Sequence, residues 1–113
     1  MNIQELATIA QEKLPVKIII LNNNFLGMVR QWQEMFFEKR YSFVQIQNPD
    51  FVAVARGFHL DAEKITEREE LAPAIDRLLQ SRESRVLEIV VQQESNVFPM
   101  VPTGASVDEV RLE

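Results

Sequence analysis

Val16-Lys17-Ile18-Ile19-Ile20-Leu21-Asn22-Asn23-Asn24-Phe25-Leu26-Gly27-Met28 is the stretch whose reading decides the fold. Val16 to Leu21 is too short and too apolar for anything but a buried strand, with Lys17 towards an edge. The run stops at three asparagines, and a helical pattern follows. In parallel α/β sheets this is the end at which ligands are held. Side-chain amides there can offer carbonyl oxygens to a hard cation or hydrogen bonds to a phosphate, with a helix start within reach. A Mg²⁺ beside phosphates normally also takes a carboxylate. The only acids preceding the triplet are Glu5 and Glu12, in a predicted helix, so these residues make part of a site.

Working outward, Asn2 with Glu5 has the acid spacing of a capping box, and Ile3, Leu6, Ala7, Ala10 and Leu14 form one helical face. A first helix is expected to start almost at Met1 and to stop near Pro15. From Leu26 to about Phe37, Val29, Trp32 and Phe36 share a stripe, with Met28 and Met35 on an adjoining one. Glu38 to Gln47 reads as a connection, and Asn48-Pro49 as N-cap and first helical position for Phe51 to Arg56, with Gly57 as the stop. Ala62 to Ile65 is a predicted short strand. Thr66 with Glu69 suggests a second capping box, but Pro73 places the regular helix nearer Glu70, where proline removes no internal hydrogen bond. Val86 to Val91 is the last predicted strand, and the irregular arm beyond it carries Pro99, Pro102 and Gly104, with a turn of helix after Ser106.

This order predicts an α/β fold, a parallel sheet flanked by helices. An opening strand before Met1 is expected to complete the sheet. The expected organisation is a single domain over residues 1–113, with 92–113 as a C-terminal arm. A chain of 113 residues, 46% hydrophobic, can bury one sizeable core. Twelve basic and seventeen acidic residues are interspersed, giving a net charge of -5 and no electrostatic footprint for nucleic acid. No apolar run approaches the roughly 20 residues of a membrane-spanning helix. Without cysteine there is no disulfide framework or thiolate nucleophile, which is compatible with the cytosol, and the lone His59 makes no zinc site of the usual kind.

Leu21 to Gln33, read as Leu-Asn-Asn-Asn-Phe-Leu-Gly-Met-Val-Arg-Gln-Trp-Gln, resembles the cofactor segment of the acetolactate synthase family, thiamine-diphosphate enzymes of branched-chain amino acid synthesis. Met1-Asn2-Ile3-Gln4-Glu5-Leu6, Arg40-Tyr41-Ser42, Asn48-Pro49-Asp50-Phe51 and Val97-Phe98-Pro99-Met100-Val101-Pro102 resemble the catalytic subunit of that family in the same order. Many thiamine enzymes share an Asn-Asn at a strand end. The Gly-Met-Val-x-Gln-Trp continuation is closer to acetolactate synthases than to the related decarboxylases.

The resemblance implies the C-terminal portion of a thiamine-diphosphate-binding fold. It places Mg²⁺ ligands at the Asn23 side chain and the Phe25 main chain, and cofactor-binding residues at Asn23, Phe25, Gly27 and Met28. It puts Val29, Trp32 and Phe36 along a substrate channel, Trp32 helping to choose the acceptor, and folds the Val97 to Gly104 arm over the active site. The implied reaction condenses pyruvate with a second 2-keto acid and releases CO₂. The family's Gly-Asp-Gly carboxylate turn would fall just before Met1. Its cofactor-activating glutamate and its FAD-carrying domain also lie outside this sequence, so no complete catalytic set is expected here and FAD is expected only in the full-length enzyme. Partners implied are the rest of the catalytic subunit or a homo-oligomer, a small regulatory subunit, and 2-keto acid substrates.

Without the resemblance, Asn22 to Asn24 reads as a turn with a helix N-cap, and Val29, Trp32 and Phe36 as a core stripe. His59 reads as a solvated loop residue, Lys39-Arg40 as solvated surface, and Glu88 as paired or near an edge. The leading expectation is a fragment that begins after the Gly-Asp-Gly turn and is inactive alone. A subunit of a split thiamine enzyme and a non-catalytic binding or dimerisation module are the alternatives.

Overall fold

The computed structural model describes Asn2–Leu112, and Met1, almost at which the first helix was expected to start, lies outside the described residues. The elements run α1 (Glu5–Gln11), β1 (Lys17–Asn22), α2 (Gly27–Phe36), α3 (Phe51–Gly57), β2 (Asp61–Ile65), a 3₁₀ turn (Arg68–Glu70), α4 (Leu71–Gln80) and β3 (Arg85–Val90). This is the expected order. The three strands of the sheet pair in parallel, in the order β1-β3-β2, with Ile18 opposite Val86 and Ala62 opposite Val86 on the other side.

The chain divides into two compact units. The first comprises the described residues up to Asn23 with Gln47–Val91, and the second Asn24–Ile46 with the described residues from Gln92 onward. In the first, Ala55, Leu60, Ala62 and Val86 form a core packed by Leu6, Ile9 and Ala10 of α1 and by Ile18 and Ile20 of β1. On the other sheet face Ile65, Ala74, Leu78 and Leu87 form a second core beneath α4. Leu78 and Leu87 are fully buried, and truncating either to alanine is expected to cost about 2–5 kcal/mol.

β1 departs from the expected doubly buried strand. It is a sheet edge, and Ile19 and Leu21, which alternate with the packed Ile18 and Ile20, are 49% and 68% exposed. The strand-end signals were read correctly, but its apolar second face has no cover within the described residues of this unit.

Several helix boundaries use other residues than expected. Gln4 is the N-cap of α1 and bonds through no side chain, so the Asn2–Glu5 box does not form. Gln4 already has helical dihedrals, which leaves Asn2 too far upstream, and the Glu5 amide instead donates to the Asn2 carbonyl. The helix ends through a left-handed Lys13 (φ 51°), with the Lys13 and Leu14 amides bonding the Ala10 and Ile9 carbonyls, two residues before Pro15. The α3 cap is Asp50, which accepts from the Ala53 amide at 2.9 Å; the Asn48 side chain is engaged elsewhere. This helix ends at Gly57 as expected, and a left-handed His59 (φ 61°), followed by a Leu60 amide bond to the Ala55 carbonyl, turns the chain beyond it. The second capping box pairs Glu67 with Glu70, not Thr66 with Glu69, and α4 starts at Leu71 with Pro73 in its first turn. After Ser106 there is a single turn, closed by the Glu109 amide on the Ser106 carbonyl, and no helix.

Candidate functional site

The strand end in the first unit is held by a polar network. Asn22, the last residue of β1, is buried and faces the same way as Ile18 and Ile20. Its Nδ2 donates to Glu88 Oε1 at 2.8 Å, and its Oδ1 accepts from Asn48 Nδ2 at 2.8 Å. Glu88 lies on central β3, 2% exposed, so it is paired rather than near an edge, and Lys64 Nζ on β2 approaches its Oε1 at 3.2 Å. A buried carboxylate is tolerated only with such partners. The Val91 amide closes the register by donating to the Asn22 carbonyl at 3.0 Å. The first asparagine thus serves structure, and Asn23 follows it half-buried at the C-terminal end of a parallel strand.

In the second unit, Asn24 is left-handed (φ 56°), and Phe25 forms an antiparallel bridge with Gln45. The bridge bonds come from the flanking residues: the Ile46 amide to the Asn24 carbonyl and the Leu26 amide to the Val44 carbonyl, both 2.8 Å. Leu26, not an asparagine, stands at the N-cap position of α2, where its side chain makes no cap bond, and Gly27 opens the helix.

α2 is arranged opposite to an ordinary core helix. Its buried residues are Arg30 and Gln31, whereas Met28, Val29, Trp32 and Phe36 are 38–54% exposed. The core-stripe reading is therefore corrected: the inward face is polar because partners within this unit satisfy it. Arg30 bonds Glu34 at 2.8 Å and the Tyr41 hydroxyl at 3.3 Å, and its guanidinium lies over the Tyr41 ring at 4.8 Å. The Tyr41 hydroxyl donates to Glu34 at 3.0 Å and, with Arg30, holds that carboxyl below the usual glutamate range. Desolvation and the same Glu34 contact push the Tyr41 phenol up. On the outward face Met28, Val29 and Trp32 line a shallow cavity of about 190 Å³, and Trp32 meets Phe36 edge to face at 5.9 Å. The structure thus brings the expected channel residues together on one accessible surface of this unit.

Sequence reasoning flagged Glu88 without its partners and assigned Asn48 to a helix cap. The one legible signal was a glutamate in the middle of an apolar strand, which requires a buried partner. Gln31 and Arg30 were missed because nothing in the helical pattern marks them, and their burial depends on partners elsewhere in this unit. Among the described residues no group of three or more His, Cys, Asp or Glu could hold a metal ion. The Asn23 side-chain oxygen and the Phe25 carbonyl are each hard oxygen donors of the kind Mg²⁺ takes.

Residues 1–89 match the family described as "Thiamine pyrophosphate enzyme, C-terminal TPP binding domain". The chain is 49% identical over 94% of its length to the acetolactate synthase large subunit of Parasynechococcus marenigrum. It is 42% identical over 97% to the isozyme 2 large subunit of Escherichia coli, and 42% over 96% to the mitochondrial acetolactate synthase of Schizosaccharomyces pombe. It spans 18%, 20% and 16% of those relatives. Among solved structures, a Rhodococcus jostii thiamine diphosphate-dependent 4-hydroxybenzoylformate decarboxylase matches 80% of this chain and 17% of its own at TM-score 0.71 and 27% identity. Benzoylformate decarboxylase from Polynucleobacter necessarius shares the fold at TM-score 0.73, over 85% of this chain and 18% of its own, at 20% identity.

Proposed function

The chain belongs to the thiamine pyrophosphate enzymes, as a C-terminal TPP-binding domain, and on that premise we propose that it is part of the catalytic subunit of an acetolactate synthase. The observation that carries the reading is the strand end. The Asn22–Glu88–Asn48 network immobilises the last residue of β1, so that Asn23 is presented from a fixed backbone. The Asn23 side-chain oxygen and the Phe25 carbonyl are the proposed Mg²⁺ ligands, completed by a carboxylate from another part of the subunit. Gly27 and Met28 would contact thiamine diphosphate, which when bound supplies the nucleophilic carbon for decarboxylative condensation. Gly27 has no side chain to obstruct that approach.

The accessible Val29, Trp32 and Phe36 would line the 2-keto acid channel, excluding water with apolar surface and selecting the acceptor by shape. The proposed product class is the 2-hydroxy-2-alkyl-3-keto acids that feed branched-chain amino acid biosynthesis. The exposed Ile19 and Leu21 on the β1 edge are a surface the rest of the catalytic subunit or a homo-oligomer would cover. FAD would be held by other parts of that enzyme. A small regulatory subunit is a further proposed partner, and the cytosol, on the cysteine-free composition, the proposed compartment. No helix of the described residues is long and apolar enough to cross a membrane.

The test compares the full catalytic subunit containing this chain with the chain alone, each given pyruvate, thiamine diphosphate and Mg²⁺. Acetolactate from the first and none above the protein-free control from the second is the expected result. No acetolactate from the full subunit would overturn the reading.

A further inference from the structure

Gln31 is a polar side chain at 1% exposure, on a helix whose apolar residues face outward. Both ends of its carboxamide engage one residue of the C-terminal arm. Oε1 accepts from the Val97 amide at 2.8 Å, and Nε2 donates to the Val97 carbonyl at 3.0 Å. Nε2 also lies 3.2 Å from Met100 Sδ. A donor and an acceptor in one planar group are the property of an amide side chain, and here they treat Val97 as a neighbouring strand would.

The other arm contacts in this unit are more exposed or longer. Asn96 Nδ2 reaches Glu34 at 3.3 Å, and Arg30 reaches the exposed Glu94 at 3.6 Å. Met100 and Arg111 pair through two backbone bonds of 3.0 and 2.8 Å, which places the Arg111 guanidinium 5.2 Å from the centre of the Phe36 ring. Arm and stripe therefore meet at Phe36, while the buried attachment is at Gln31.

We propose that Gln31 is the fastener of the C-terminal arm and, through the arm's contact with Phe36, a positioning residue that sets the width of the acceptor channel. The fastener stands on the geometry above; its effect on the channel rests on the reading given under Proposed function. Gln31→Met keeps the shape and removes both hydrogen bonds. Gln31→Glu keeps the acceptor, but its carboxylate oxygen faces the Val97 carbonyl and repels it. Its protonated form restores a donor and an acceptor. Glu34, held below the usual glutamate range by Tyr41 and Arg30, stays ionised at pH 5 and does not mimic this change.

Hydrogen exchange of the 113-residue chain reads the fastener without any reaction, with the β1–β3 amides reporting that the sheet remains folded. Gln31→Met should lower the protection factors from Val97 to Arg111 by about tenfold, as expected when buried hydrogen bonds are lost. Gln31→Glu should lower them at pH 8 and regain wild-type protection at pH 5. Wild-type protection in Gln31→Met, or no pH-dependent recovery in Gln31→Glu, would overturn the fastener. In the full catalytic subunit, given pyruvate and 2-ketobutyrate together, Gln31→Met should shift the product ratio by roughly threefold or more, with acceptor KM rising more than kcat falls. An unchanged ratio with a loosened arm would overturn the positioning role. A wild-type subunit that forms no product would instead sink the functional reading, and the exchange result alone would then judge the fastener.

Discussion

Asn22→Ala probes the network that fixes the strand end. The substitution removes the donor to a carboxylate that is 2% exposed and leaves Glu88 with Lys64, whose own side chain is 48% exposed. A hydrogen bond to a charged group is worth about 1.5–3 kcal/mol, and the neutral Asn48 bond about 1 kcal/mol, so the loss should be about 3 kcal/mol. With a urea slope of about 1–3 kcal/mol per molar for a domain of this size, the unfolding midpoint should fall by about 1–3 M. Adding Glu88→Leu to Asn22→Ala removes the buried charge that needs a partner and should recover about 1 kcal/mol or more. Urea titration of the 113-residue chain, followed by circular dichroism, measures all members of the cycle. A cost below about 0.5 kcal/mol for Asn22→Ala, the range of an ordinary surface change, would refute the reasoning.

Asp50→Ala removes the α3 cap bond to Ala53 and should cost about 1 kcal/mol in the same titration. Glu34 is held low chiefly by the Tyr41 hydroxyl, so its contribution to stability is present above the ordinary glutamate pKa and lost as pH falls through its lower folded value. Glu34→Gln should therefore flatten the acid limb of the stability curve, measured by denaturation between pH 6 and pH 3 (about the span where glutamates titrate). Trp32→Leu, on an exposed stripe, should change stability by less than about 1 kcal/mol while altering the choice between pyruvate and 2-ketobutyrate in the full subunit; an unchanged product ratio would remove Trp32 from that role.

Element order and parallel sheet were legible because apolar runs, turn residues and helical periods agree from Val16 through Val91. Boundaries were less so. Capping was assigned from residue type, but Asn48 is drawn to Asn22 by tertiary structure, and Lys13 and His59 take left-handed positions usually given to glycine. Periodicity found the α2 stripe but not its direction. Direction depends on whether Arg30 and Gln31 find partners, and those partners, Tyr41 and Val97, are remote in sequence. The strand end was marked by its three asparagines, yet the structural role of Asn22 depends on Glu88, 66 residues on.

The most direct test of the account is the Mg²⁺-dependent binding of thiamine diphosphate to the full catalytic subunit, measured by calorimetry for the wild type and for Asn23→Ala. Loss of a metal-oxygen contact at a fixed strand end should raise the Mg²⁺ needed for half-saturation by at least about tenfold, with the fold retained. Equal Mg²⁺ dependence in the two proteins would contradict the assignment of Asn23 to the metal.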